Sequence, residues 1–149
     1  DPSDIETLFN CGILLMNFSK NYTAAIRLYD RVIKIDSLWK NVYCLRALAK
    51  SQLNDFAGAL ADMRIEMMHQ PDDATLMSKK GFILNRKGDF AEAIACYTYS
   101  ISRVPKAAYY YQRARNYNLM GNTLLARQDY QKAIQLDPLI KNDVPPPYR

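Results

Sequence analysis

One spacing constrains this chain more than any other feature. Four apolar runs end on short stops, Asp36-Ser37, Gln70-Pro71, Val104-Pro105 and Asp137-Pro138, whose second residues stand 34, 34 and 33 positions apart. A period of this length belongs to stacked supersecondary units rather than to a single sheet or bundle. Inside each period the same order recurs. A turn signal comes at Asn21-Tyr22, Asp55-Phe56, Asp89-Phe90 and Asn122-Thr123. A small residue follows at Ala25, Ala59, Ala93 and Ala126, and four positions on stands a large one, Tyr29, Met63, Tyr97 or Tyr130. The first half of each period carries Gly12, Ala47, Gly81 or Ala114, with Leu8, Tyr43, Met77 or Tyr110 four residues before it.

Residues four apart lie on one face of a helix. A small residue on one helix admits a large ring from the next, so two antiparallel helices approach closely. The Asn, Asp and Gly residues turn the chain between them, and the prolines stop the second helix. The pattern predicts eight helices at about 5–18, 22–35, 39–52, 56–69, 73–86, 90–103, 107–120 and 123–136, with no strand and linkers of two or three residues.

These residues resemble the tetratricopeptide repeat. Gly81-Phe82, Gly88-Asp89-Phe90-Ala91-Glu92-Ala93-Ile94, Tyr97 and Pro105 carry the likeness in the third period, and Tyr130-Gln131-Lys132-Ala133-Ile134-Gln135-Leu136-Asp137-Pro138 in the fourth. The resemblance implies an all-α, right-handed solenoid of four helix-turn-helix repeats, eight antiparallel helices in all. The repeats fall at about 5–38, 39–72, 73–106 and 107–138 of a domain spanning 1–138, with 139–149 a Pro-rich tail or linker. The chain departs from the family in places. The first repeat has an extra residue in its turn, the second has Ala47 for the usual glycine and Glu66 for a small apolar residue, and Arg46, Lys80 and Arg113 stand where leucine is usual. Their long side chains are expected to bury their stems and keep their heads in water; the alternative is that they touch a ligand. Asp1-Pro2 falls where the stop of a preceding repeat would fall, which points to a piece cut from a longer array. What covers the last repeat is left open between the tail, a second copy and further sequence.

The chemistry classes thin out quickly. A single histidine, His69, rules out a His-based triad or a multi-histidine metal site. Cys11, Cys44 and Cys96 are odd in number and lack a CxxC pair, so neither a disulfide framework nor a zinc site is expected, and free thiols suit an intracellular, cytoplasmic setting. No phosphate loop follows a strand, and Asp72-Asp73 is placed to open a helix. No enzyme, cofactor or metal is expected. No apolar stretch is long enough to span a membrane. Tyr109-Tyr110-Tyr111 beside Arg113 and Arg115 could stack nucleic acid, but most of the 11 tyrosines occupy packing slots, which disfavours that reading.

The expected function is protein binding, as a scaffold or adaptor holding a partner peptide or helix on the concave side lined by the first helix of each repeat. The stripe expected there is apolar at one end (Phe9, Asn10, Ile13, Leu45, Leu48) and polar and basic at the other (Lys79, Phe82, Arg86, Tyr111, Gln112, Arg115, Asn118). Charge follows the same division: residues 1–73 hold 8 Lys/Arg and 10 Asp/Glu, net −2, and residues 74–149 hold 12 and 5, net +7. An acidic or phosphorylated segment with an apolar part fits such a stripe. Some family members clamp the acidic C-termini of heat-shock chaperones, but the clamp positions here hold Phe9, Ile13, Leu45, Thr75 and Lys79, so that partner is not expected. A structural or self-associating solenoid segment of a larger assembly is the alternative. Pro145-Pro146-Pro147-Tyr148 matches the PPxY pattern read by WW domains, or serves as a stiff linker.

Overall fold

The structure, a computed structural model, describes residues 4–148. Asp1-Pro2, read above as the stop of a preceding repeat, lies outside them. Among the described residues there are eight α-helices and no strand: α1 (Ile5–Asn17), α2 (Tyr22–Ile35), α3 (Val42–Gln52), α4 (Phe56–His69), α5 (Ala74–Lys87), α6 (Phe90–Arg103), α7 (Ala107–Leu119) and α8 (Thr123–Leu136). Seven of the eight begin within one residue of the expected position. The chain divides into two units, Asp1–Pro71 and Asp72–Arg149, each made of two helix hairpins.

The caps explain why the boundaries are so legible. Asp4, Asn21, Asp55, Asp73 and Asn122 each accept a backbone N–H from the first turn of the helix that follows. Between the helices of each hairpin one residue is left-handed: Lys20 (φ 52°), Asn54 (φ 62°), Gly88 (φ 96°) and Gly121 (φ 77°). The extra residue of the first turn is visible in its hydrogen bonds. Asn21 N–H reaches back six residues to the Leu15 carbonyl, where Asp55, Asp89 and Asn122 reach back five.

The late start is α3, which opens at Val42 rather than 39. Asn41 is left-handed, with φ 66°, and its side chain caps nothing. The cap comes from α4 instead. Glu66, 1% exposed, accepts the backbone N–H groups of Asn41 (3.0 Å) and Cys44 (3.2 Å), and the amide of Gln70 donates to it at 2.6 Å. This is why a carboxylate stands where the family has a small apolar residue. At the matching place in α6, Ser100 donates to the carbonyls of Ala74 and Cys96.

The small-against-large contacts occur as the pattern requires. A Cβ on Gly12 would stand 2.6 Å from the Tyr29 ring, and one on Gly81 would stand 3.1 Å from the Tyr97 ring. Both rings are fully buried, as is Tyr130 beside Ala114. Burial pushes the Tyr130 phenol up to about 12, and shifts Tyr29 and Tyr97 in the same direction. In the first unit, Leu8, Ala25, Tyr29, Val32, Val42 and Tyr43 form the core that α1, α2 and α3 share.

After α8 the chain folds back on the second unit. Two short 3-10 helices, Pro138–Asn142 and Pro146–Tyr148, lay Val144 and Tyr148 against Ala114, Ala126 and Tyr130. Residues 139–148 thus cover the face of the last repeat.

Candidate protein-binding surfaces

The recurring basic positions decide which cations could meet a ligand. Arg46 on α3 forks onto Asp62 of α4, with Nε and Nη2 at 2.8 and 2.7 Å from its two oxygens, and Nη1 reaches Asp30 of α2 at 2.6 Å. Lys50 adds a contact to Asp62 at 2.8 Å. Arg113 on α7 repeats the fork on Asp129 of α8, at 2.7 and 2.8 Å, and its third nitrogen donates to Thr98 of α6 at 3.0 Å. Burial opposes the charge on Arg46, but its bonds to Asp62 and Asp30 outweigh that and hold the guanidinium above its ordinary range. The expectation of heads left in water is therefore corrected for Arg46 and Arg113: each head closes onto a nearly buried aspartate that would otherwise be stranded in the core. The separation of 16 residues in both pairs was a signal available in the sequence. In the third repeat the same two slots hold Lys80 and Cys96. Burial there pushes the Cys96 thiol up, with Lys80 pulling partly the other way, which is the opposite of an activated nucleophile.

The first unit carries the apolar residues of the expected stripe. Phe9 packs edge-on against Tyr29 and Trp39, with ring centroids 6.1 Å apart in each case, so much of its face belongs to the core. Leu45 packs on the same core, Ile13 and Leu48 are half-buried, and Asn10 is exposed. This end is a partly filled apolar surface rather than an open one.

The second unit carries the polar and basic residues on α5 and α7. Asn85 donates to Asn116 at 2.9 Å, and Asn116, fully buried, donates in turn to the Gln112 carbonyl at 2.7 Å. This chain of amides fastens α5 to α7. Lys79 and Phe82 are half-buried on α5, and Arg86 is exposed at its C-terminal end. On α7, Arg115 is exposed and lies 3.4 Å from Gln112. Two members of the expected stripe are engaged by the tail: Tyr111 donates to the Asp143 carbonyl at 3.2 Å, and Asn118 accepts from the Tyr148 hydroxyl at 2.6 Å. The tyrosine triplet is likewise occupied. Tyr109 is buried, Arg113 lies over the Tyr110 ring, and Tyr111 packs against Tyr130. No group of three His, Cys, Asp or Glu side chains among the described residues is arranged to hold a metal ion, and no helix among them is long and apolar enough to cross a membrane.

The Tetratricopeptide repeat family matches residues 72–137. Tetratricopeptide repeat protein 16 of Homo sapiens is 29% identical over 125 residues, and that of Macaca fascicularis 28%. Each alignment covers 78% of this chain and 14% of the relative, so the chain spans only about a seventh of those proteins. Among solved structures, the crystal structure of MamA superposes with a TM-score of 0.78 over 95% of this chain and 83% of that one, at 20% identity. MamA from Desulfovibrio magneticus RS-1, residues 41 to the end, gives 0.79 over 93% of this chain and 78% of that one, at 17% identity. Residues 72–137 thus carry tetratricopeptide repeats, and the weaker whole-chain likenesses are to proteins of the same kind. The eight helices of the described residues match the helical repeat fold of those structures, and the family match supports a protein-interaction module.

Proposed function

We propose that this chain is a non-enzymatic scaffold or adaptor module whose second unit holds an acidic or phosphorylated peptide on α5 and α7. The observation that carries this reading is the different use of the two arginines of α7. Arg113 is neutralised by Asp129, whereas Arg115, two residues on, is exposed beside Gln112. Lys79 and Arg86 on α5 supply further positive charge to the face that Asn85 and Asn116 fasten together. Phe82, half-buried between them in sequence, offers an apolar contact for the same ligand. Single exposed ion pairs contribute about 0–1 kcal/mol each, so several cations must act together to anchor a peptide.

Fluorescence anisotropy with an acidic phosphoserine peptide tests the reading. The triple variant Lys79→Glu, Arg86→Glu, Arg115→Glu should abolish binding while the helical circular dichroism spectrum is retained, and binding to the unaltered chain should weaken as salt rises. Equal affinity of the triple variant at low salt would move the site elsewhere, with the apolar surface from Phe9 to Leu48 next in line.

A further inference from the structure

The tail that folds back on α7 and α8 carries Pro145-Pro146-Pro147-Tyr148, and its docked shape is at odds with the way such a segment is recognised. WW domains grip an extended polyproline helix and an accessible aromatic ring. Here Pro146–Tyr148 is wound into a 3-10 turn, and Tyr148 is buried, its ring 5.1 Å from that of Tyr130 and its hydroxyl 2.6 Å from Asn118. The docking uses two anchors, Val144 and Tyr148, together with bonds from the Tyr111 hydroxyl to the Asp143 carbonyl and from the Arg127 guanidinium to the Pro147 carbonyl (3.4 Å). Pro146 and Pro147 stay exposed and contribute nothing to the buried cluster. Their value lies in the released tail, where consecutive prolines hold the chain extended at little entropic cost.

We propose that Pro145–Tyr148 is a ligand for a WW-type domain, and that docking on α7 and α8 keeps it closed. The two states exclude each other, because one ring cannot be both packed against Tyr130 and seated in a partner's groove. The partner therefore binds only the released fraction of the tail, and its apparent dissociation constant rises in inverse proportion to that fraction. Release also frees Tyr111 and Asn118, so partner binding uncovers the face of the last repeat.

Calorimetric titration with a purified PPxY-specific WW domain tests this, comparing the full chain with a synthetic peptide of residues 139–149. The peptide should bind, and Tyr148→Ala should abolish its binding. The full chain should bind at least about tenfold more weakly than the peptide. Asn118→Ala, which removes the hydroxyl acceptor at an exposed helix position, should bring the chain towards the peptide's affinity. Val144→Ser, which removes the second anchor, should do the same while leaving the peptide's own affinity unchanged. Bound chain should show the Tyr130 ring resonances moving to their positions in the Val144→Ser variant. A peptide that fails to bind overturns the ligand assignment, and a full chain that binds as tightly as the peptide overturns the closure. None of these measurements involves Lys79, Arg86 or Arg115, so the result is independent of the acidic-peptide site.

Discussion

Repeats two and three fill the same three slots with different side chains. Where helix meets helix, repeat two has the buried Ala47 and Met63 and repeat three sets Gly81 beside Tyr97. In the neighbouring slot, repeat two has the Arg46–Asp62 ion pair and repeat three has Lys80 with Cys96. At the end of the second helix, repeat two buries Glu66 under the start of α3, while repeat three has Ser100 bonded to two carbonyls. The family matches residues 72–137 and leaves repeat two outside. A helix hairpin therefore forms with either set, and the buried carboxylates of repeat two, Asp62 and Glu66, each find partners. Where the set is only partly polar an orphan remains: the Tyr97 hydroxyl is buried with no hydrogen-bond partner.

The largest difference between the two repeats is expected at the last slot. Glu66→Ala strips the acceptor from Asn41, Cys44 and Gln70 at once and should cost about 3 kcal/mol. Ser100→Ala should cost about 1 kcal/mol. Urea denaturation of the two variants measures the difference, and equal losses would mean that the N-terminus of α3 finds another cap. The middle slot is next. Arg46→Met leaves Asp62 with Lys50 alone and should cost about 2–3 kcal/mol, whereas Lys80→Met, with no carboxylate opposite, should stay within about 0.5 kcal/mol. A large effect at Lys80 would show that the slot depends on positive charge as such.

Much of this was legible in the sequence, and the rest was not for definite reasons. The hairpins and seven helix starts follow from local signals: Asp or Asn caps, prolines, and residues spaced by four. The packing slots were readable because Gly12 with Tyr29 and Gly81 with Tyr97 recur at offsets of 17 and 16, which differ only by the extra residue of the first turn. What escaped was side-chain pairing across helices. Arg46 looks like a solvated cation until Asp62, 16 residues away, is brought beneath it. Glu66 looks like a misfit until Asn41 turns left-handed and leaves α3 without its own cap. The tail escaped for a related reason, since three prolines forbid an α-helix but permit the 3-10 turn that seats Tyr148. Of the expected binding stripe, Phe9 and Leu45 turned out to share in the core, and Tyr111 and Asn118 to hold the tail, because residues on a helix face are divided among uses that periodicity alone does not separate.

The helix-contact slot holds the same pair of residue types in repeats one and three, at different clearances. Gly12 and Gly81 both face a tyrosine, but an added Cβ would stand 2.6 Å from the ring at Gly12 and 3.1 Å at Gly81. Gly12→Ala should therefore cost about 1–2 kcal/mol through overpacking. Gly81→Ala should come out near neutral, its mild crowding offset by the roughly 1 kcal/mol that alanine gains over glycine in a helix. Gly81→Leu carries bulk the slot cannot take and should cost about 1–3 kcal/mol. Thermal melts of the three variants rank them, and equal costs for the two alanine variants would mean that the Tyr29 ring shifts freely.

The hairpin turns are a milder point of difference, with the first repeat departing from the third and fourth. All four turns place one residue in the left-handed region, but only Gly88 and Gly121 occupy it without a Cβ. Asn54 tolerates the conformation because a short polar side chain can bond locally. Lys20, at φ 52°, has neither advantage, and its side chain is exposed, so nothing in the core compensates for the strained backbone. A left-handed L-residue costs about 1–2 kcal/mol, and part of that gain returns as the larger unfolded-state entropy of glycine. Lys20→Gly should therefore stabilise the chain by about 0.5–1 kcal/mol, and Asn54→Gly by a few tenths, roughly, for the same reason. The denaturant midpoint should rise with an unchanged slope. A fall in midpoint for Lys20→Gly would show that the extra residue in the first turn has relaxed the strain there, and that the first repeat's longer turn is a remedy for its missing glycine.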